Sequence, residues 1–191
     1  MKLIKHRINN KKQLRINNVD GVELDLRYHN SDIILHHDPF QKGENFEEFL
    51  KKFSLNFLIL NIKSEGIEEE VLRLLKKYNV PDYFFLDTSI PFMVKYINRG
   101  WNKFAVRFSE YEPLELALKF KDKVEWVWVD CFTHLPLTKE SHTQLKKHFK
   151  ICLVSPELQG YPNSMIKEFK KQIEGFEIDA VCTKYPDLWR S

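Results

Sequence analysis

The sequence predicts an α/β fold, a compact (β/α)8 barrel, on three observations. From residue 50 onward, apolar runs of five to seven residues alternate with amphipathic stretches of ten to fifteen. Strict alternation of this kind argues for a parallel sheet with helical crossovers. Counting two runs before residue 50, eight strand-like segments are present, and a polar residue closes nearly every one of them. A barrel of this class typically needs about 250 residues, so 191 residues make a minimal version with short loops.

Taken in order, Leu3-Ile4-Lys5-His6 and Val22-Glu23-Leu24-Asp25-Leu26 are the first two strands. The stretch 10–18 between them is polar and brief for a first helix. Residues 31–37 read as a further strand, extending the second. Phe57-Leu58-Ile59-Leu60-Asn61-Ile62-Lys63 is followed by a helix over 67–78 with leucines at helical spacing. Tyr83-Phe84-Phe85-Leu86-Asp87 precedes a helix over 91–99 closed by Gly100. Lys103-Phe104-Ala105-Val106-Arg107 leads into a helix over 113–120 with Pro113 in its first turn. A Trp-rich strand over 124–130 and a helix over 139–149 follow, then a strand over 150–154 and a helix over 164–173. Ile178-Asp179-Ala180-Val181-Cys182 is the eighth strand. No repeat, low-complexity stretch or linker divides the chain, so residues 1–191 form one domain.

Thirty basic and 27 acidic residues are interspersed and leave a net charge of +3, a solvated surface and not a nucleic-acid footprint. No run approaches the roughly 18 apolar residues of a membrane helix, and the N-terminus turns polar too early for a signal peptide. Three cysteines, an odd number, with no C-x-x-C pair, fit a reducing compartment and a cytoplasmic location. Cys152 and Cys182 fall inside strands, where buried free thiols are common.

The chemistry concentrates in the first 40 residues: His6-Arg7, Glu23-Leu24-Asp25-Leu26-Arg27 and His36-His37-Asp38-Pro39 each close an apolar run. Strand parity puts Glu23, Asp25 and Arg27 on one face, and likewise Asn61 with Lys63. Carboxylates two residues apart on a strand lie about 7 Å apart and suit a hard cation, Mg²⁺ or Ca²⁺. Histidines titrate near neutrality, so two of them can serve as acid and base in one turnover. His6 qualifies by closing a strand beside a charge; parity does not choose between His36 and His37. Arg7 and Lys63 are the candidates to grip phosphate. Glu157 follows a strand and could orient substrate or bind metal, and Asp38 adjoins His37. His29, His134, His142 and His148 read as surface residues, and Trp126 and Trp128 as core.

These clusters, in this order, resemble the glycerophosphodiester phosphodiesterase family of (β/α)8 barrels. The matching positions are His6-Arg7, Glu23-Leu24-Asp25, His37-Asp38, Asn61-Ile62-Lys63 and Thr183-Lys184-Tyr185-Pro186. The resemblance selects His37 over His36. It implies metal-dependent cleavage of a small-molecule glycerophosphodiester, with His6 and His37 as the acid-base pair and Arg7 and Lys63 on the phosphate. Glu23, Asp25 and Asn61 would be the metal ligands. Four features depart from the family pattern. Asn61 replaces a third acidic ligand, and the Pro-Glu-Asn-Thr segment after the His-Arg pair is missing. The domain inserted after the His-Asp is absent, which leaves a more open site, and Lys184 stands where Asp is common. The related sphingomyelinase D enzymes also lack the insert and form cyclic phosphates. Asn61 keeps a second reading in view, a catalytically weakened barrel that binds a phosphorylated ligand. The open site admits a third, a phosphodiesterase acting on a cell-surface polymer precursor.

Overall fold

A computed structural model describes residues 1–190. Among the described residues ten strands and seven α-helices follow in order, alternating from α1 onward: β1 Lys2–Lys5, β2 Gly21–His29, β3 Asp32–Leu35, β4 Glu44–Asn45, α1 Phe46–Leu50, β5 Phe57–Ile62, α2 Glu68–Lys77, β6 Tyr83–Leu86 and α3 Ile90–Ile97. There follow β7 Ala105–Phe108, α4 Leu114–Leu118, β8 Trp126–Val129, α5 Lys139–Lys146, β9 Lys150–Val154, α6 Met165–Gln172, β10 Ala180–Thr183 and α7 Pro186–Arg190. The result is a mixed α/β fold around a mainly parallel sheet, as the alternation predicts.

The eight expected strands are all present. Parallel pairing runs from β1 through β2 and β5 to β6, and from β1 the other way through β10, β9 and β8 to β7. An isolated parallel bridge, Phe85 to Phe104, lies between β6 and the segment entering β7, and the Phe85 N–H donates to Lys103 O at 2.8 Å.

Two expectations need correction. Residues 31–37 do not prolong β2; β3 folds back antiparallel on it, with Leu26 opposite Leu35, and β4 pairs antiparallel to β3. Asn30 and Ser31 both take positive φ and make the reversal. The first helix is a single 3-10 turn, Lys11–Leu14, capped by the Asn10 side chain. It buries nothing, because its sequence carries no apolar stripe.

Phe57, Phe84 and Trp126, from three different strands, meet with ring centroids 4.9 to 5.8 Å apart and fill the end of the sheet where the strands begin. Gly21 is required beside them: a Cβ there would lie 2.3 Å from Phe57 O. Val22, Leu24 and Leu26 are fully buried on the opposite parity from Glu23 and Asp25. Packing therefore consumes one face and one end of the strands, and the polar residues are left for the carboxyl ends.

Candidate active site

The carboxyl ends of β1, β2, β5 and β10 are stitched together by backbone bonds. His6 N–H donates to Thr183 O at 2.9 Å, Ile8 N–H to Glu23 O at 2.8 Å, and Lys63 N–H to Leu26 O at 2.9 Å. His36 N–H donates to Asp25 O at 3.1 Å and brings the β3 arm over the same place. His6, Arg7, Glu23, Asp25, Asn61 and Lys63 are thereby gathered around one point.

Glu23 and Asp25 are 1% and 0% exposed. Asp25 sits directly across from Asn61 in the β2–β5 register, and Asn61 Nδ2 donates to Glu23 Oε1 at 3.0 Å. The other Glu23 oxygen accepts the Arg7 N–H at 2.7 Å. That bond requires Arg7 to adopt φ +54°, a left-handed conformation that costs an arginine roughly 1–2 kcal/mol. Burial, with the adjacent Asp25 charge, pushes the Glu23 carboxyl up to about 7, against the Asn61 and Arg7 hydrogen bonds.

His6 Nε2 lies 3.7 Å from Glu23 Oε2. Burial, reinforced by Arg7, Lys184, His37 and Lys63, pushes its imidazole down to about 3, so it is neutral near pH 7. His37 Nδ1 meets Asp38 Oδ1 at 2.7 Å on the exposed rim. His36 differs: its Nδ1 accepts the Asp38 N–H at 3.0 Å and is occupied in its own turn. The structure thus gives the two histidines different surroundings, and it is His37 that has a carboxylate partner.

Two cations frame Asp25, with Arg7 Nε at 3.5 Å from Oδ2 and Lys63 Nζ at 3.9 Å from Oδ1. Lys63 also donates to Asp87 Oδ2 at 3.1 Å. From there an alternating row of charge continues, since Arg107 donates to Asp87 Oδ1 and to Asp130 Oδ2, both at 2.8 Å. Gln159 Nε2 donates to Asp130 Oδ1 at 2.6 Å.

Two residues behave differently from their sequence reading. Arg27 shares the parity of Glu23 and Asp25, but its guanidinium is spent on backbone carbonyls, His37 O at 3.0 and 2.7 Å and Lys63 O at 3.0 Å. It braces the loops that carry those two side chains. Glu157 is buried at the ends of β9 and β10, where Oε1 accepts Thr183 Oγ1 at 2.6 Å and the Lys184 N–H at 2.8 Å, and Oε2 accepts Ser155 Oγ. Its bonds are structural.

One residue was missed. Asn9 Nδ2 donates to Asp25 Oδ2 and Asn9 Oδ1 accepts the Asp25 N–H, both at 2.8 Å. A lone asparagine in a polar loop carries no sequence signal that separates it from Asn10, Asn17 or Asn18.

The donor set suits a hard divalent cation. Asp25 Oδ1 and Asn61 Oδ1 are both buried and without a hydrogen-bond partner, and buried oxygens in that condition are rare. Among the described residues no group of three or more His, Cys, Asp or Glu side chains could hold a metal; here the third oxygen comes from an amide. All three candidate donors are oxygens, the preference of Mg²⁺ and Ca²⁺.

No protein family and no curated protein matches this sequence. Among solved structures, the chain is similar to a protein from Agrobacterium tumefaciens designated a glycerophosphoryl diester phosphodiesterase, at 12% identity and a TM-score of 0.68, over 98% of this chain and 95% of that one. It is similar also to a glycerophosphoryl diester phosphodiesterase from Parabacteroides distasonis, at 14% identity and a TM-score of 0.67, over 98% and 84%. The likeness is one of fold. It runs end to end, so the chain has the architecture of those proteins with no large insertion or deletion against the first. No helix among the described residues is long and apolar enough to cross a membrane.

Proposed function

We propose that this chain is a metal-dependent phosphodiesterase, cleaving a glycerophosphodiester or a related phosphodiester with His6 and His37 as the acid-base pair. We read its strand pairings, with the Phe85–Phe104 bridge as the eighth contact, as a closed (β/α)8 barrel whose mouth carries the site. The observation that carries the reading is the juxtaposition at one strand end of two buried carboxylates, a partly buried neutral imidazole and two cations. Resemblance of fold to two phosphodiesterases supports it.

Glu23, Asp25 and Asn61 would hold a divalent cation, which when bound neutralises charge on the phosphoryl oxygens. Arg7 and Lys63 would take the remaining oxygens. Lys63 is held by Asp87 on the far side, so little reorganisation is needed when the anion arrives. His6 is neutral and can only accept a proton, so it would deprotonate the attacking hydroxyl, of water or of the substrate itself. An incoming phosphodiester anion offsets the cations that depress His6 and so strengthens it as a base. His37, whose Nδ1 is held against Asp38 Oδ1, would donate the proton to the leaving alkoxide.

The decisive assay uses glycerophosphocholine, glycerophosphoethanolamine and bis(p-nitrophenyl) phosphate with EDTA, Mg²⁺ or Ca²⁺, followed by phosphorus NMR to separate hydrolysed from cyclic product. Metal-dependent turnover lost in both His6→Ala and His37→Ala is the expected result. No turnover together with retained binding of a phosphorylated ligand would replace this reading with that of a binding protein.

A further inference from the structure

We propose that the face on which the active site opens docks on an anionic phospholipid surface, with Phe40 and Tyr185 entering the lipid. Docking of this kind goes beyond the phosphodiesterase reading and does not depend on it.

The placement of the exposed aromatic side chains carries the inference. Among the described residues these are Tyr28, Phe40, Tyr111, Phe132 and Tyr185. All five lie at the end of the sheet that holds the site. Tyr28 is next to last in β2, Phe40 lies three residues past His37, and Tyr111, Phe132 and Tyr185 follow β7, β8 and β10. At the opposite end, the segments that lead into the strands carry Phe53, Tyr78, Trp101, Phe120, Phe149 and Phe176. Every one of these is packed against the core. Position in a loop therefore does not by itself expose an aromatic ring in this chain; only the site end leaves rings in water. Exposed apolar residues scattered singly are ordinary, but a one-sided set marks an interaction face.

Phe40 is the extreme case. It is 96% exposed, and its φ of +61° is a conformation that a bulky residue adopts at a cost. Neither the ring nor the backbone gains anything from this while the ring stays in water. A lipid phase would take the ring up.

The scatter of the rings and the local charge select the partner. Of the five, only Tyr111 and Phe132 are in ring contact, with centroids 5.7 Å apart. A protein partner is ordinarily held by a central cluster of anchors, whereas the interfacial layer of a bilayer accepts separate rings at one level. The segments 6–13, 36–44 and 184–185 belong to neighbouring strands, and Lys11 N–H to Glu44 Oε2 at 2.9 Å ties the first to the second. Together they carry Arg7, Lys11, Lys12, Lys42 and Lys184 against two acids, Asp38 and Glu44. Both acids are engaged, Asp38 by His37 and Glu44 by Lys11. Lys12, Lys42 and Lys184 are exposed and have no ion-pair partner among the described residues. Lys42 is two residues from Phe40 and Lys184 adjoins Tyr185, so each inserting ring has a free cation near it in the chain, as anionic headgroups favour. Tyr28 instead shares a cavity wall with the exposed acids Asp32 and Glu65, which assigns insertion to the basic sector.

The test sediments the full chain with sucrose-loaded vesicles of phosphatidylcholine alone or mixed with phosphatidylglycerol. The variants are Phe40→Gly with Tyr185→Ser, Lys42→Ala alone, and Phe40→Trp. Glycine suits the φ at position 40, and a thermal melt at or above the wild-type Tm shows that the double variant folds. The wild type should sediment with the phosphatidylglycerol vesicles, less so as salt rises, and should leave phosphatidylcholine largely unbound. Partitioning of the double variant should fall about tenfold or more, and that of Lys42→Ala about fivefold. Brominated lipid should quench Phe40→Trp beyond its effect on the wild type. Four results would each overturn the inference: no binding to either vesicle, binding that the double variant retains in full, equal binding to phosphatidylcholine alone, or an unquenched Phe40→Trp. So would sedimentation velocity showing a dimer that the double variant dissociates, which would assign the face to a second copy of the chain.

Discussion

Asn9→Ala isolates the clamp that holds Asp25 in place. Asn9 makes two bonds of 2.8 Å to this one residue, donating to the carboxylate and accepting from the backbone N–H. A hydrogen bond to a charged acceptor contributes about 1.5–3 kcal/mol, and a buried N–H left unpaired costs about 1–3 kcal/mol. The Asn9 contacts are only partly buried, so water recovers some of this loss, and we expect a destabilisation of about 2–4 kcal/mol. For a chain of this size each kcal/mol moves Tm by about 2–4 °C, so the variant should melt roughly 5–15 °C lower. Asp25 would also lose its fixed orientation, and if it holds the proposed cation, loss of the partner behind it should lower metal affinity or activity about 10- to 100-fold. Asn9→Asp is the control: it keeps an acceptor for the Asp25 N–H but sets a second carboxylate against Asp25 Oδ2, and should be at least as damaging. Urea and thermal unfolding by circular dichroism, with Mg²⁺ titration by calorimetry, read both effects. An Asn9→Ala protein within about 0.5 kcal/mol of wild type and with unaltered Mg²⁺ binding would refute the clamp.

Three further outcomes follow from the same geometry. Asn61→Asp should lose metal-free stability, because it exchanges the Nδ2 donor on Glu23 for a third buried negative charge. Added Mg²⁺ should raise its Tm by more than it raises that of the wild type, by the linkage of binding to folding. Arg27→Lys keeps the charge but loses the fork that grips His37 O and Lys63 O. It should lower kcat about tenfold or more while costing only about 1–2 kcal/mol of stability in urea. Glu110 is the pH probe: burial acts to raise its carboxyl, but the N–H groups of His134 and Thr133 outweigh burial and hold it down at about 2. A carboxyl depressed in the folded state stabilises above its unfolded value near 4.5, and that contribution disappears as pH falls toward 2. Between pH 6 and pH 3 the stability gap between wild type and Glu110→Gln should therefore shrink from about 1–2 kcal/mol, solvent screening included; a gap that stays constant in urea midpoints would show that the carboxylate charge contributes nothing.

What the sequence made legible was periodicity and strand-end polarity. The apolar runs at 57–62, 83–86 and 150–154 became strands within a residue or two, since each is too short and too apolar to do anything but cross a core. Alternation within β2 placed Glu23 and Asp25 together, because a strand has only two faces. Three things stayed hidden. The β2–β3 reversal depends on Asn30 and Ser31 both taking positive φ, and no Asn-Gly or Gly-Gly pair announces it. Arg27 sits at a site parity, yet the carbonyls it binds come from residues ten and 36 positions away, which periodicity cannot supply. The commitment of Glu157 to Thr183 and Lys184 is likewise a contact between the ends of β9 and β10, visible only once those strands are neighbours.

The substitution that most distinguishes this site, Asn61 where a third acid is expected, is better understood as charge balance than as decay. Around Asp25 the charges alternate: Arg7 and Lys63 on either side, then Asp87 beyond Lys63, Arg107 beyond that, and Asp130 at the end. Every cation in the row except Arg7 lies between two acids. Glu23 has no cation bonded to it, and burial together with the adjacent Asp25 charge raises its affinity for a proton. A third acid at position 61 would lie against Glu23, where the amide now donates a hydrogen bond at 3.0 Å. It would push that carboxyl further toward protonation. With asparagine, Glu23 keeps a donor on one oxygen and the Arg7 N–H on the other, and the amide oxygen is left unpaired, the neutral ligand of the proposed metal site. The cluster therefore tolerates the absence of a cation better than a three-acid set would, and should bind one less tightly. Weak, exchangeable metal binding with a folded metal-free state is the behaviour this arrangement favours, and stability that is nearly independent of EDTA alongside activity that depends on millimolar Mg²⁺ or Ca²⁺ is how it would appear.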